Sequence, residues 1–221
     1  MDWPAFGLSL RLAAWTLAIL VPIGLVAGRW IAWSEFRGRP FAEAALALPL
    51  VLPPTVLGFY LLQALGGGAP LGALAERLFG EPLVFNFSGL LVASIVFNLP
   101  FAIQPIQRAF EAIDPEVREA AQCCGLSRWQ AFRGIELPLV LPGLLSAVVL
   151  TFAHTLGEFG VVLMVGGSIP GETRTVAIAI YDRVQAFDSQ AAALMSATLL
   201  AISFAAMVVV YATTGRRVRR R

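Results

Sequence analysis

Glu158 is the only acidic residue between Leu139 and Val165, a run apolar enough to lie in a membrane. An ionisable group in such a run is costly to bury and therefore points to function. It reads as part of a structural or gate-stabilising network with His154, Thr155 or an arginine from elsewhere. Gly157 and Gly160 flank it and permit bending or close packing. His154 is the only histidine, and Cys123 and Cys124 are adjacent with no second pair to complete a metal site. Without a Ser–His, Cys–His or histidine cluster, no catalytic set, metal or cofactor is expected in this chain. The cysteines read as small apolar helix residues. The sequence has no lysine and no Gly-x-x-x-x-Gly-Lys-Ser/Thr loop, so it is not expected to hydrolyse nucleotides itself.

The other candidates are polar or helix-disturbing residues in apolar surroundings. Pro53 and Pro54, with Pro49 before them, remove backbone donors where lipid cannot replace them, and Thr55 adds a hydroxyl. Asn98 and Gln104 lie beside Pro100 and Pro105 in a second such run. Together with Glu158 these residues are the candidate pathway or gate, although simple structural kinks account for the prolines equally well.

The elements that must position them are membrane helices. Hydrophobic residues make up 58% of the 221 and charged ones only 14%, too few to cover a soluble surface. Leu8–Gly28, Glu43–Leu65, Ser88–Gln107, Leu139–Val165 and Ala191–Tyr211 each approach the ~20 apolar residues that cross ~30 Å of hydrocarbon. The expected fold is all-α: a polytopic membrane protein of about five spans in a single domain, 1–221, with a sixth short or re-entrant element left open. All 16 basic residues are arginines. They crowd into Arg29–Arg39, Arg108–Arg133 and Arg216–Arg221, which places those segments in the cytoplasm and the N-terminus outside. Met1–Leu10 lacks a basic start and no small-x-small site precedes Arg29, so the first span reads as an uncleaved helix. The arginine-rich tail reads as a topology signal facing anionic lipid and not as a nucleic-acid arm.

Between the third and fourth spans lies the longest charged stretch. Asp114-Pro115 is a helix start, Gly125 is placed to stop that helix in a left-handed turn, and Ser127-x-x-Gln130 is a capping box. A second short helix should succeed it, with Trp129, Phe132 and Ile135 on one apolar face. By its physics alone this helix-turn-helix is equally an amphipathic connection lying on the membrane.

Residues 119–138 read Glu-Ala-Ala, three residues, Gly, nine residues, Ile-x-Leu-Pro, and this pattern resembles the signature loop of permease subunits of bacterial ABC importers. The resemblance implies that 108–138 is a cytoplasmic coupling loop on a type I importer fold. Glu119, Ala120, Ala121, Gly125, Ile135, Leu137 and Pro138 would serve its grip on an ATPase. Leu48–Gly58, Leu99-Pro100-Phe101, Phe110–Asp114, Leu-Gly-Glu-Phe-Gly at 156–160 and Ile-Pro-Gly-Glu-Thr at 169–173 resemble the molybdate permeases and, in part, the related sulfate permeases. Thr175–Asp182 and the short length favour molybdate. The same resemblance implies a second copy, two ATPase subunits holding ATP and Mg, an external oxyanion-binding protein and a bacterial inner-membrane location. Thr175–Asp188, at helical spacing, would dock that binding protein or pack at the outer membrane surface. Sulfate or tungstate carriage is the neighbouring alternative. An ion-coupled secondary transporter is the alternative from another class, opposed by the loop.

Overall fold

The computed structural model describes residues 1–218, and the arginines at 219–221 lie outside them. Asp2 accepts the Ala5 N–H at 3.2 Å and starts α1, Trp3–Trp33. Asn86 accepts the Gly89 N–H at 2.8 Å and starts α5, Phe87–Glu111. Between them lie α2 (Arg39–Val51), α3 (Pro54–Leu65) and α4 (Pro70–Phe79). After α5 come α6 (Pro115–Cys123), α7 (Arg128–Ala131), a π-helical segment (Phe132–Glu136) and α8 (Leu137–Gly157). The chain closes with α9 (Gly160–Gly166), α10 (Val176–Gln185) and α11 (Ser189–Val218). The architecture is all-α.

Helix α5 is the centre of the bundle, flanked by α1 and α8. A Cβ on Gly24 of α1 would lie 3.0 Å from the Ala102 carbonyl oxygen. One on Gly143 of α8 would lie 2.5 Å from Ala109 Cβ and 2.7 Å from the Pro105 carbonyl oxygen. Lipid tails supply no hydrophobic drive between helices, so such close backbone approaches are what bind them. Helix α11 leaves Leu194, Leu200 and Phe204 exposed, as suits an apolar helix against hydrocarbon.

Among the described residues, four continuous helices are long and apolar enough to cross a membrane, and a bent pair makes a fifth candidate. Two expected spans are corrected. Glu43–Leu65 is not one helix: α2 and α3 meet at 110° across Leu52 and Pro53, because Pro54 has no N–H and disfavours helical backbone before it. The bent pair still advances along the bundle. Arg39 and Glu43 bond to Glu111 and Gln107 near one end of α5, whereas Leu65 packs with Ala93 towards the other. The fourth span ends at Gly157 instead of Val165, because the backbone turns extended at Glu158 and restarts as α9.

The two ends of the bundle differ in charge partners. Arg29 and Arg39 pair with Glu136 and Glu111 at the end carrying the 108–138 segment. Arg174 pairs with Asp182 and reaches Asp2 at the other.

Candidate functional site

The 108–138 segment is shaped by signals acting over three or four residues. Asp114 Oδ1 accepts the Glu116 N–H at 3.0 Å, and Pro115 occupies the first turn of α6. At the other end Gly125 takes φ 72°. The Gly125 N–H reaches the Gln122 oxygen at 2.9 Å and the Leu126 N–H reaches the Ala121 oxygen at 3.2 Å, the paired bonds of a Schellman stop. The Gln130 N–H then donates to Ser127 Oγ at 3.3 Å while the Ser127 N–H donates to Gln130 Oε1 at 2.9 Å.

The second short helix expected after this box does not stand alone. From α7 through the π segment into α8 the chain is helical for 30 residues, Arg128–Gly157. The wider π turn also breaks the expected apolar face, since three-residue spacing no longer keeps side chains in line. Trp129 and Phe132 stack at 5.6 Å, but Ile135 lines a cavity of about 260 Å³ between the segment and the body of the protein.

That cavity divides the signature residues. Glu119 and Ala120 are exposed, whereas Ala121 is buried and lines the cavity wall. Leu137 packs against the cluster around Phe110 and Val140. Beside the cavity Arg29 Nε donates to Glu136 Oε2 at 2.7 Å and its Nη2 to Oε1 at 3.0 Å. Glu136 is buried, so this two-bond pair ties the π segment to α1. Arg29 and Arg118 lie 4.5 and 3.9 Å from the centroid of the same Trp33 ring.

Further along the bundle the two helix breaks meet. A Cβ on Gly160 would lie 2.8 Å from Pro54 Cβ and 3.4 Å from Thr55 N, and one on Gly58 would lie 2.8 Å from Met164 Cβ. Pro54 and Thr55 thus sit against the chain two residues after Glu158. Glu158 Oε1 accepts the Val161 N–H at 2.7 Å. The expected network of Glu158 with His154, Thr155 or an arginine is therefore corrected: α9 begins with unpaired amides, and the adjacent carboxylate satisfies one. Thr155 Oγ1 donates to the Thr151 carbonyl at 2.7 Å instead.

His154 belongs to a different constellation. Its Nδ1 lies 3.0 Å from Asn98 Oδ1, Asn98 Nδ2 lies 2.8 Å from the Ser94 carbonyl oxygen, and Ser94 Oγ lies 2.8 Å from Thr16 Oγ1. A chain of polar groups thus crosses from α8 through α5 to α1, with Thr16, Ser94 and Asn98 all buried. Gln104 is half-buried and outside this chain.

Residues 21–220 match the family described as the binding-protein-dependent transport system inner membrane component. The chain belongs to this family. It is thus a transport component of the inner membrane. Among relatives, the molybdenum transport system permease protein ModB of Azotobacter vinelandii is 43% identical over 96% of this chain and 94% of its own length. A putative molybdenum permease of Bacillus subtilis is 37% identical over 89% and 87%. A probable sulfate permease of Chlorella vulgaris is 30% identical over 94% and 78%. The fold is also that of a chain in a bacterial alginate ABC transporter, solved in complex with its alginate-bound periplasmic protein. The TM-score is 0.78 at 16% identity, covering 96% of this chain and 78% of that one.

Two features of this permease component have little or no signature in the sequence. The Arg29–Glu136 pair joins residues 107 apart, each in an ordinary charged border. His154 carries a signal, an imidazole alone in an apolar run, but nothing local points to Asn98 as its partner.

Proposed function

We propose that the chain is the membrane-spanning subunit of an ATP-driven molybdate importer. It works as two copies around a two-fold axis, with two ATPase subunits that bind ATP and Mg and an external oxyanion-binding protein. The observation that carries this reading is the build of the 108–138 projection. A short capped helix holds Glu119 and Ala120 outward, and the π segment that follows it is stapled to α1 through Glu136 and Arg29. Small side chains suit it to a groove on another protein. The arginine-rich end faces the cytoplasm in this reading, with the N-terminus outside, in line with the positive-inside rule.

The mechanism is set by how the parts are joined. A displacement of α6 by the ATPase passes Gly125 and the Ser127–Gln130 box into Arg128–Gly157, which contains no non-helical joint. At its far end that helix carries His154 and adjoins Glu158, Pro54 and Thr55, where α3 and α9 touch. Backbone amides and carbonyls freed by the two breaks, with exposed Thr55, make a weakly polar lining through which an oxyanion is not held tightly, and buried Asn98 stands behind it in the polar chain. Pro53, Pro54, Thr55, Asn98 and Glu158 serve as pathway or gate, and Gln104 lines its continuation. Molybdate is the cargo favoured by the 43% identity to the Azotobacter permease. Selection against sulfate belongs mainly to the binding protein.

Vesicles containing the permease, its ATPase and the binding protein test this directly. Labelled molybdate uptake should require ATP and both partners and should exceed sulfate uptake. Uptake driven by an ion gradient without ATP would instead establish a secondary transporter.

A further inference from the structure

The cavity of about 260 Å³ behind α6 holds more positive charge than its walls neutralise. Three arginines line it, Arg29 from α1, Arg118 from α6 and Arg128 from α7, against one carboxylate, Glu136. Both Glu136 oxygens are taken by Arg29. Among the described residues, Arg118 and Arg128 form no ion pair. Arg118 is half-buried, and its guanidinium lies 3.9 Å from the centroid of the Trp33 ring, with that of Arg29 4.5 Å from the same point. These two charges are therefore within about 9 Å of each other, inside the ~10 Å over which salt at about 0.1 M screens them. A guanidinium over a ring keeps its N–H edge for a further partner, and it can only donate. The cavity thus gathers donors and positive charge around one carboxylate that is already in use.

We propose that this cavity binds a tetrahedral oxyanion group of the phosphate type, held by Arg118 and Arg128 with the remaining N–H donors of Arg29. Arginine forks grip the oxygens of such a group two at a time, a match that a point charge does not make. The group has two sources of the same chemistry: a small oxyanion free in solution, or the headgroup phosphate of an anionic lipid. The inference goes beyond the permease reading and does not need it, because the cavity and its charges belong to this chain alone.

The place of the cavity gives the bound group a role. Arg118 and Ala121 line it from one side of α6, whereas Glu119 and Ala120 are exposed on the other, so a partner seated on Glu119 and Ala120 leaves the cavity in place. An anion spanning α6, α7 and α1 fastens the projection to the body of the protein at a second point, beside the Arg29–Glu136 pair. Occupancy therefore stiffens the joint between α6 and α1.

The test follows thermal unfolding of the full-length chain in lipid discs of phosphatidylcholine, alone or with about a fifth phosphatidylglycerol, at constant ionic strength. Each is measured with and without about 10 mM inorganic phosphate or molybdate. Wild type should gain about 3 °C or more, from a soluble anion in phosphatidylcholine if the source is free, or from phosphatidylglycerol alone if it is lipid. Arg118→Gln and Arg128→Gln should each lose at least half of that gain. Arg133→Gln should keep it, because Arg133 lies over Trp129 on the same segment and does not line the cavity. Arg128 is exposed, so its variant keeps the test open if Arg118→Gln fails to fold. The arginine-rich tail is common to all four chains, so differences among them report the cavity. No gain with any anion overturns the proposal, as does a gain undiminished in Arg128→Gln or equally diminished in Arg133→Gln. No uptake is measured, so these outcomes leave the permease reading untouched, and a failure of uptake leaves the cavity site untouched.

Discussion

Breaking the Arg29–Glu136 pair from its two sides should have unequal costs. Glu136 is 7% exposed at its side chain and Arg29 is 35% exposed. Stranding one member of a buried pair costs about 3–5 kcal/mol, because the survivor keeps its desolvation penalty without its partner. Arg29→Met strands the buried carboxylate, so it should cost about 4 kcal/mol. Glu136→Gln leaves an arginine that water still reaches and that lies 4.5 Å from the centre of the Trp33 ring. Solvent screening and the cation–π contact should reduce that cost to about 2 kcal/mol. The double variant should cost little more than Glu136→Gln alone. Equilibrium unfolding in mixed micelles, monitored by circular dichroism, gives the three values needed for a double-mutant cycle. Equal single costs that simply add, with coupling below about 0.5 kcal/mol, would refute the reasoning.

The loop yields two further expected outcomes. A Cβ at Gly125 meets nothing within 4 Å, so Gly125→Val should cost only the backbone penalty of φ 72°, about 1–2 kcal/mol. Hydrogen exchange at Leu126–Gln130 should rise while membrane insertion is unchanged, and unaltered exchange would contradict the left-handed turn. Ala120→Trp should weaken ATPase retention about tenfold without changing permease stability. Ala121→Trp, which overfills the chain's own cavity wall, should cost about 1–3 kcal/mol of stability. Identical behaviour of the two would erase the outward and inward division of the pair.

Features that act over a few residues are legible in the sequence alone. The Asp114 cap, the Gly125 turn and the Ser127–Gln130 box are each complete within their own neighbourhood, and all three form as the residue types require. Where the spans stop is less legible, because apolar residues continue through the breaks. Nothing in the composition of Glu43–Leu65 separates a kink at Pro53 from a 110° turn. The prolines end the first helix, and the second is held at its angle by packing on α9, a contact between segments about 100 residues apart. Glu158 stands out as unusual in its apolar run, but its partner is a backbone amide, which carries no residue type to read. Likewise the π turn at Phe132–Glu136 leaves no compositional trace, and Ile135 within it lines the cavity while Trp129 before it does not.

Gly143 touches α5 more closely than a side chain would permit, and it divides the 30 residues of Arg128–Gly157 almost equally. Pro142 stands immediately before that glycine and removes a helix hydrogen bond there, so the point held against α5 is also the point where the helix bends most easily. Each arm is about 22 Å long at about 1.5 Å per residue, so a bend of about 10° at this hinge would displace one end by about 4 Å while the other stays in place. The half carrying His154 is thus free to swing while the half tied to α1 through Glu136 and Arg29 holds still.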